Sequence, residues 1–154
     1  MKRNVWMAFL LAPFLFAACG KTDTECVPAT IASEKAAMVA YCTANNITYT
    51  EHASGILYEV MAPGLSTQPT LASTVSTVYT GKLLNGTQFD ASANPVSFLL
   101  SGVIKGWQIG IPLIKKGGRI KLVIPSSLAY GCTGQGSIPA NAPLYFEVSL
   151  TDVR

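Results

Sequence analysis

Histidine is nearly missing from this sequence: His52 is the only one, in a polar stretch ahead of the first strand-like segment, where it reads as a solvated linker residue. With one imidazole and no zinc-like spacing of cysteine and histidine, neither a structural metal site nor a histidine-driven nucleophile is supported. Charge is scarce too, with 11 Lys and Arg against 8 Asp and Glu for a net +3. That leaves no basic footprint for nucleic acid. The glycine-rich stretches Gly117-Gly118 and Gly131 to Gly136 lack the flanking strand, helix and Lys-Ser/Thr pair that a phosphate loop requires. The apolar run from Val5 to Ala18 is too short to span a bilayer comfortably.

That run does fit a secretory signal: it follows Met1-Lys2-Arg3 and ends in Phe16-Ala17-Ala18 just ahead of Cys19. Small residues before a cysteine resemble a bacterial lipobox, in which Cys19 is lipidated and becomes the first residue of the mature chain. An ordinary cleaved signal with Cys19 incidental is the other reading. Losing Lys2 and Arg3 with residues 1–18 lowers the net charge from +3 to about +1. Enough chain remains for one domain of ordinary size with a short extension. Gly20 after the lipidated cysteine suggests the outer membrane facing the periplasm, by the familiar sorting pattern.

Four cysteines are few, and an exported compartment permits disulfides among them. With Cys19 acylated, Cys26, Cys42 and Cys132 remain, an odd number. Cys26 and Cys42 flank a predicted helix, so a bridge between its start and end is one possibility; a straight helix of that length would hold the sulfurs too far apart unless the chain at Cys26 folds back. The sequence leaves both open. Cys132 reads as a small apolar filler in a loop.

Residues 19–53 are expected to form a tether and an N-terminal helix. The Ala-rich stretch from Thr30 to Asn45 has Thr30 as N-cap, Asn45-Asn46 as a stop, and Ile31, Met38 and Cys42 near one face. Its expected place is the domain edge, with dimerisation as the sharper alternative. Beyond it, period-two alternation recurs in Ile56-Tyr58-Val60, Val75-Thr77-Tyr79, Val96-Phe98-Leu100, Ile120-Leu122-Ile124 and Leu144-Phe146-Val148-Leu150. Asn85-Gly86 marks a hairpin. One short helix is predicted from Val103 to Ile111, cut off by Pro112. Several half-buried strands and one short helix imply an α+β fold, an antiparallel sheet curled over that helix. The alternation alone also allows a small β-sandwich.

Val75-Ser-Thr-Val-Tyr79-Thr-Gly, Gly86-Thr-Gln-Phe89-Asp90, Val103-Ile104-Lys-Gly106-Trp107, Ala129-Tyr130-Gly131 and Ile138-Pro-Ala-Asn-Ala follow one another in order. Together, over residues 54–154, they resemble FKBP-type peptidyl-prolyl cis/trans isomerases. The resemblance implies a curled sheet over one helix, rotation of Xaa-Pro bonds without a cofactor, and a pocket that accepts proline and macrolide immunosuppressants. It implies Trp107 as the pocket floor, Tyr79, Phe89, Val103, Ile104 and Phe146 as walls, and Ile138 and Tyr130 on a flap. The Tyr130 hydroxyl and the Ile104 amide would donate to substrate carbonyls, and Asp90 would orient a polar group at the edge; Tyr130, Asp90 and Trp107 are the candidate catalytic residues. Val96 stands at a wall position that the family often fills with a larger ring, and Ala140 replaces a second proline after Ile138-Pro139. Both departures bear on specificity.

The sequence therefore reads as a membrane-anchored prolyl isomerase of the bacterial cell envelope, acting on proline-containing segments of unfolded exported proteins. The alternative is a non-catalytic chaperone or binding module that uses the same apolar pocket.

Overall fold

The computed structural model describes residues 26–154; the expected signal peptide and the candidate lipidation residue Cys19 lie outside them. Strand alternation sets the inner face of the sheet. In β5 (Arg119–Ile124) it turns Ile120, Leu122 and Ile124 inward, all at 0% exposure. In β6 (Leu144–Val153) it does the same for Leu144, Phe146, Val148 and Leu150. With β1 (Thr50–Glu51), β2 (Leu57–Ala62), β3 (Thr74–Leu83) and β4 (Gln88–Leu99) they form one six-stranded sheet in the order β1-β2-β5-β6-β3-β4. Every neighbouring pair is antiparallel. The sheet stays open and its inner face packs on the helix α2 (Lys105–Gly110) through Trp107, and on Ile111 just beyond it. This is the expected α+β architecture. The Asn85-Gly86 turn also forms as predicted, with Gly86 at φ 90° and Asn85 Oδ1 accepting from the Thr87 amide at 2.9 Å.

Helix α2 is shorter than the predicted span from Val103 to Ile111. Ile104 is extended (φ −58°, ψ 149°) and caps the helix, while Pro112 sits inside a 3-10 turn, Ile111–Leu113, that carries the chain on from Gly110. Proline at the start of a helical turn removes no bond that the turn would have made.

The helix α1 (Ile31–Ala44) forms as its caps predict: Thr30 accepts from the Ser33 amide at 3.1 Å, and the chain leaves through Asn46 at φ 52°. Its buried stripe is Glu34, Met38, Tyr41 and Cys42. Ile31, expected on that stripe, is instead 37% exposed. Nor does α1 sit at the domain edge. It covers the outer face of the sheet, where Met38, Tyr41 and Cys42 pack on Leu57, Val123 and Tyr145. Those three strand residues are apolar at positions that alternation turns away from the main core, and the helix is what buries them. The sheet itself begins at β1, four residues ahead of the boundary expected at Ser54, since Thr50 pairs with Tyr58 and Glu51 with Leu57.

The cysteines pair differently from the bridge considered between Cys26 and Cys42. Cys26 is bonded to Cys132, with Cα atoms 5.4 Å apart, and Cys42 is a buried free thiol. Cys132 is thus a bridge partner, not a filler. The geometry explains the difference: Cys42 faces the sheet from the body of α1, whereas residues 27–29 run along the loop after β5, fastened there by the Asn141 side chain.

Candidate active site

Aromatic side chains from three elements meet around Trp107. It projects from α2 and is 4% exposed. The edge-to-face partners of its indole are Tyr79 of β3 (5.2 Å between centroids), Phe146 of β6 (5.3 Å) and Phe98 of β4 (5.8 Å). Phe89 of β4 adds a fourth ring, edge-on to Phe146 at 5.5 Å. Two features let these rings come so close. A β-carbon at Gly81 would stand 2.8 Å from Phe89 and 2.9 Å from Phe146, so only glycine leaves room for that pair. A β-carbon at Gly106 would lie 2.4 Å from Ile124, and one at Gly110 2.6 Å from Leu122, so these glycines let α2 rest directly on β5.

Above the rings lies a cavity of about 330 Å³, near the lower end of the range for small-ligand sites, roughly 300–1,000 Å³. Its walls include Tyr79, Phe89, Phe146 and Trp107, together with Val103 and Ile104 from the loop entering α2; its polar groups come from Asp90 and Tyr130. Among the described residues the buried indole N–H of Trp107 has no hydrogen-bond partner.

Polar groups sit at the rim with defined partners. The Tyr79 hydroxyl donates to Asp90 Oδ2 at 2.8 Å, which fixes the carboxylate against the aromatic wall. Burial, the hydrogen bond to Asp90 and the nearby negative charge push the Tyr79 phenol up to about 12 from its usual 10. Burial first, then the Asp90 charge, raises the Tyr130 phenol as well. Both stay protonated donors at neutral pH. Among the described residues nothing accepts from the Tyr130 hydroxyl, and the Ile104 amide donates to none of them. The Ile104 carbonyl, by contrast, accepts from the amides of Trp107 (3.0 Å) and Gln108 (3.2 Å).

Eight of the ten residues predicted for the pocket come together here: Tyr79, Phe89, Asp90, Val103, Ile104, Trp107, Tyr130 and Phe146. Val96 does not. It lies on an edge strand, paired with Thr77 two positions out from Phe98, and is 39% exposed. The wall on that side is Phe98, which the alternation had marked only as a strand residue. Ile138 is not a lining residue either: it is 7% exposed and packs into the main core, paired with Gln135. Gln108 went unnoticed in the sequence. Its Nε2 donates to the carbonyls of Val103 (2.8 Å) and Ser101 (3.1 Å) and holds the entering loop, with Gly102, against α2. A glutamine four residues beyond a helix cap carries no pattern of its own.

An open antiparallel sheet cups an aromatic cavity whose rim carries two phenol hydroxyls and a carboxylate, an arrangement shaped to enclose a small apolar group. Residues 66–151 match the family described as FKBP-type peptidyl-prolyl cis-trans isomerase. Over 104 residues the chain is 47% identical to the FKBP-type peptidyl-prolyl cis-trans isomerase FkpA of Escherichia coli K12, covering 66% of this chain and 38% of that protein. The corresponding Aeromonas hydrophila protein is 45% identical over 104 residues, with 66% and 39% covered. The chain spans about two-fifths of the length of these relatives. The crystal structure of Escherichia coli FkpA superposes with a TM-score of 0.72 at 40% identity, covering 80% of this chain and 61% of that one. A peptidyl-prolyl cis-trans isomerase of Pseudomonas syringae pv. tomato gives 0.69 at 33% identity, with 82% and 98% covered. This chain belongs to the FKBP-type peptidyl-prolyl cis-trans isomerase family.

Proposed function

We propose that this chain catalyses rotation about Xaa-Pro peptide bonds, with residues 54–154 as the isomerase unit. The supporting observation is the cavity, whose floor and walls are aromatic and whose rim holds the Tyr79–Asp90 pair and the unpaired Tyr130 hydroxyl. Rotation breaks no covalent bond; it has to overcome amide resonance, a barrier of roughly 18–20 kcal/mol. The planar amide keeps more charge on its carbonyl oxygen than the twisted one, and water favours that charge. A dry aromatic cavity therefore disfavours the planar state more than the twisted one, and this difference lowers the barrier. The Tyr130 hydroxyl and the Ile104 amide are the donors available to hold substrate carbonyls in the twisted geometry.

A protease-coupled assay on a proline peptide tests this reading. Turnover well above the uncatalysed rate supports the enzyme; saturable binding of the peptide without acceleration would instead favour a binding module. Macrolides would occupy the same cavity.

The proposed setting is the bacterial cell envelope, with unfolded exported proteins as substrates and Cys19 carrying a lipid anchor in the outer membrane, facing the periplasm. The signal-like start and Phe16-Ala17-Ala18-Cys19 support it. Cys19→Ser is expected to abolish incorporation of labelled fatty acid, and unchanged labelling of that variant would refute Cys19 as the lipid site.

A further inference from the structure

We infer that residues 26–34 act as a strap that positions the loop bearing Tyr130, with Glu34 as its buried anchor. The inference rests on the reading of Tyr130 as a donor to substrate. Connections of three kinds run from this segment to the loop between β5 and β6. Cys26 is bonded to Cys132, two residues beyond Tyr130. Asn141, at the far end of the loop, donates from Nδ2 to the Val27 carbonyl (3.0 Å) and accepts on Oδ1 from the Ala29 amide (2.9 Å). Glu34 accepts on its two carboxylate oxygens from the Ser126 amide (2.8 Å) and the Ser126 hydroxyl (2.5 Å), at the foot of the loop. Tyr130 is thus bracketed on both sides.

Glu34 is the telling residue. It occupies the buried stripe of α1 that Met38, Tyr41 and Cys42 fill with apolar groups, and it is only 7% exposed. Burying a carboxylate is unfavourable unless its oxygens are hydrogen-bonded. Among the described residues Glu34 forms no ion pair, and the bonds given for it all go to Ser126. A structural helix face would hold an alkyl side chain here; a carboxylate at this place binds the loop to the helix. The loop transmits the hold because it is knit to itself: the Gly131 amide donates to the Ser126 carbonyl and the Asn141 amide to the Gly131 carbonyl, both at 2.8 Å. A shift at Ser126 or Cys132 therefore moves the Tyr130 hydroxyl relative to the cavity, and misplacement of a donor weakens its contribution to the twisted state.

The test is a double-mutant cycle on the full chain. Glu34→Ala, and separately the pair Cys26→Ser with Cys132→Ser, are combined with Tyr130 or Tyr130→Phe, and kcat/KM is measured on a proline peptide. With Tyr130 present each change is expected to lower kcat/KM about two- to tenfold, the scale of one hydrogen bond; in the Tyr130→Phe background the loss should shrink to less than about twofold. Glu34→Gln, which keeps one acceptor, should recover part of the activity. Amide hydrogen exchange across residues 126–141 should quicken in the strap variants while the strands stay protected. An equal loss in both backgrounds, or unchanged exchange in the loop, would overturn the strap. If Glu34→Ala does not fold, the cysteine pair carries the same comparison. A wild-type protein without turnover would refute the isomerase reading instead, and the exchange measurement would then decide the strap alone.

Discussion

Trp107 does two jobs at once, and the consequences can be separated. It fills the space between α2 and the sheet and forms the cavity floor, so Trp107→Ala should lower stability by about 3–5 kcal/mol, as large aromatic truncations in cores do. Denaturant unfolding measures that part, and turnover of the folded fraction should fall as well. Tyr130→Phe, by contrast, keeps the ring and removes one hydroxyl, worth roughly 0.5–1.5 kcal/mol, so the rate should fall about two- to twelvefold with little change in unfolding. Asp90→Val should also lower activity without unfolding the domain, because Asp90 is exposed at the rim. Full turnover in folded Tyr130→Phe, Asp90→Val and Trp107→Leu would contradict the assignment of this cavity as the catalytic site. The raised phenols give a pH expectation. Because Tyr79 is shifted up to about 12, the stabilisation from its protonated form is complete below pH 10 and is lost as pH rises from 10 towards 12. Alkaline unfolding of Tyr79→Phe should lack that component, while wild-type turnover stays nearly flat between about pH 6 and 8. At this scale most of the site was legible, since Tyr79, Asp90, Trp107 and Tyr130 sit in ordered motifs. Val96 and Phe98 were not separable, because alternation puts them on one face; Val96 pairs beside the register shift between Thr77 and Tyr79, which alternation does not show.

Among the elements, α2 shows how little of a helix's stability is its own. Its six residues are too short to persist in water, and it exists because it docks on β5. Docking requires glycine: Gly106→Ala would drive a methyl group to 2.4 Å from Ile124 Cγ2 and lift the helix that carries Trp107. The expected cost is about 1–3 kcal/mol in unfolding free energy, with a drop in turnover, and Ile124→Ala in the same chain should relieve part of both. If Gly106→Ala proved as stable and active as wild type, the close docking of α2 on β5 would not be needed. Periodicity cannot reveal such a contact, because the signal is the absence of a side chain opposite a branched one. The same limit applies to α1: its caps at Thr30 and Asn45 were readable, whereas its seat on Leu57, Val123 and Tyr145 required knowing which strands lie side by side.

At the scale of the whole molecule, the cysteines join what the sequence keeps apart. The sequence left open a bridge between Cys26 and Cys42, which flank α1; the fold brings together Cys26 and Cys132, 106 residues apart, because residues 27–29 lie along the loop that Asn141 ends. Long-range pairing of this kind leaves no local trace. It has a measurable consequence, since a cross-link closing a loop of that length stabilises the folded chain by on the order of 4–5 kcal/mol in the chain-entropy model. A peptide map without reductant should recover Cys26 and Cys132 in one linked pair. Cys42 should resist thiol reagents in the folded protein, because burial, with a smaller contribution from Glu59, raises its thiol and keeps the thiolate scarce. Under denaturing, unreduced conditions Cys42 should then react. Adding reductant should lower the denaturation midpoint markedly and leave that of Cys26→Ser with Cys132→Ser unchanged. A linked peptide containing Cys42, or a midpoint indifferent to reductant in the wild-type chain, would contradict this pairing.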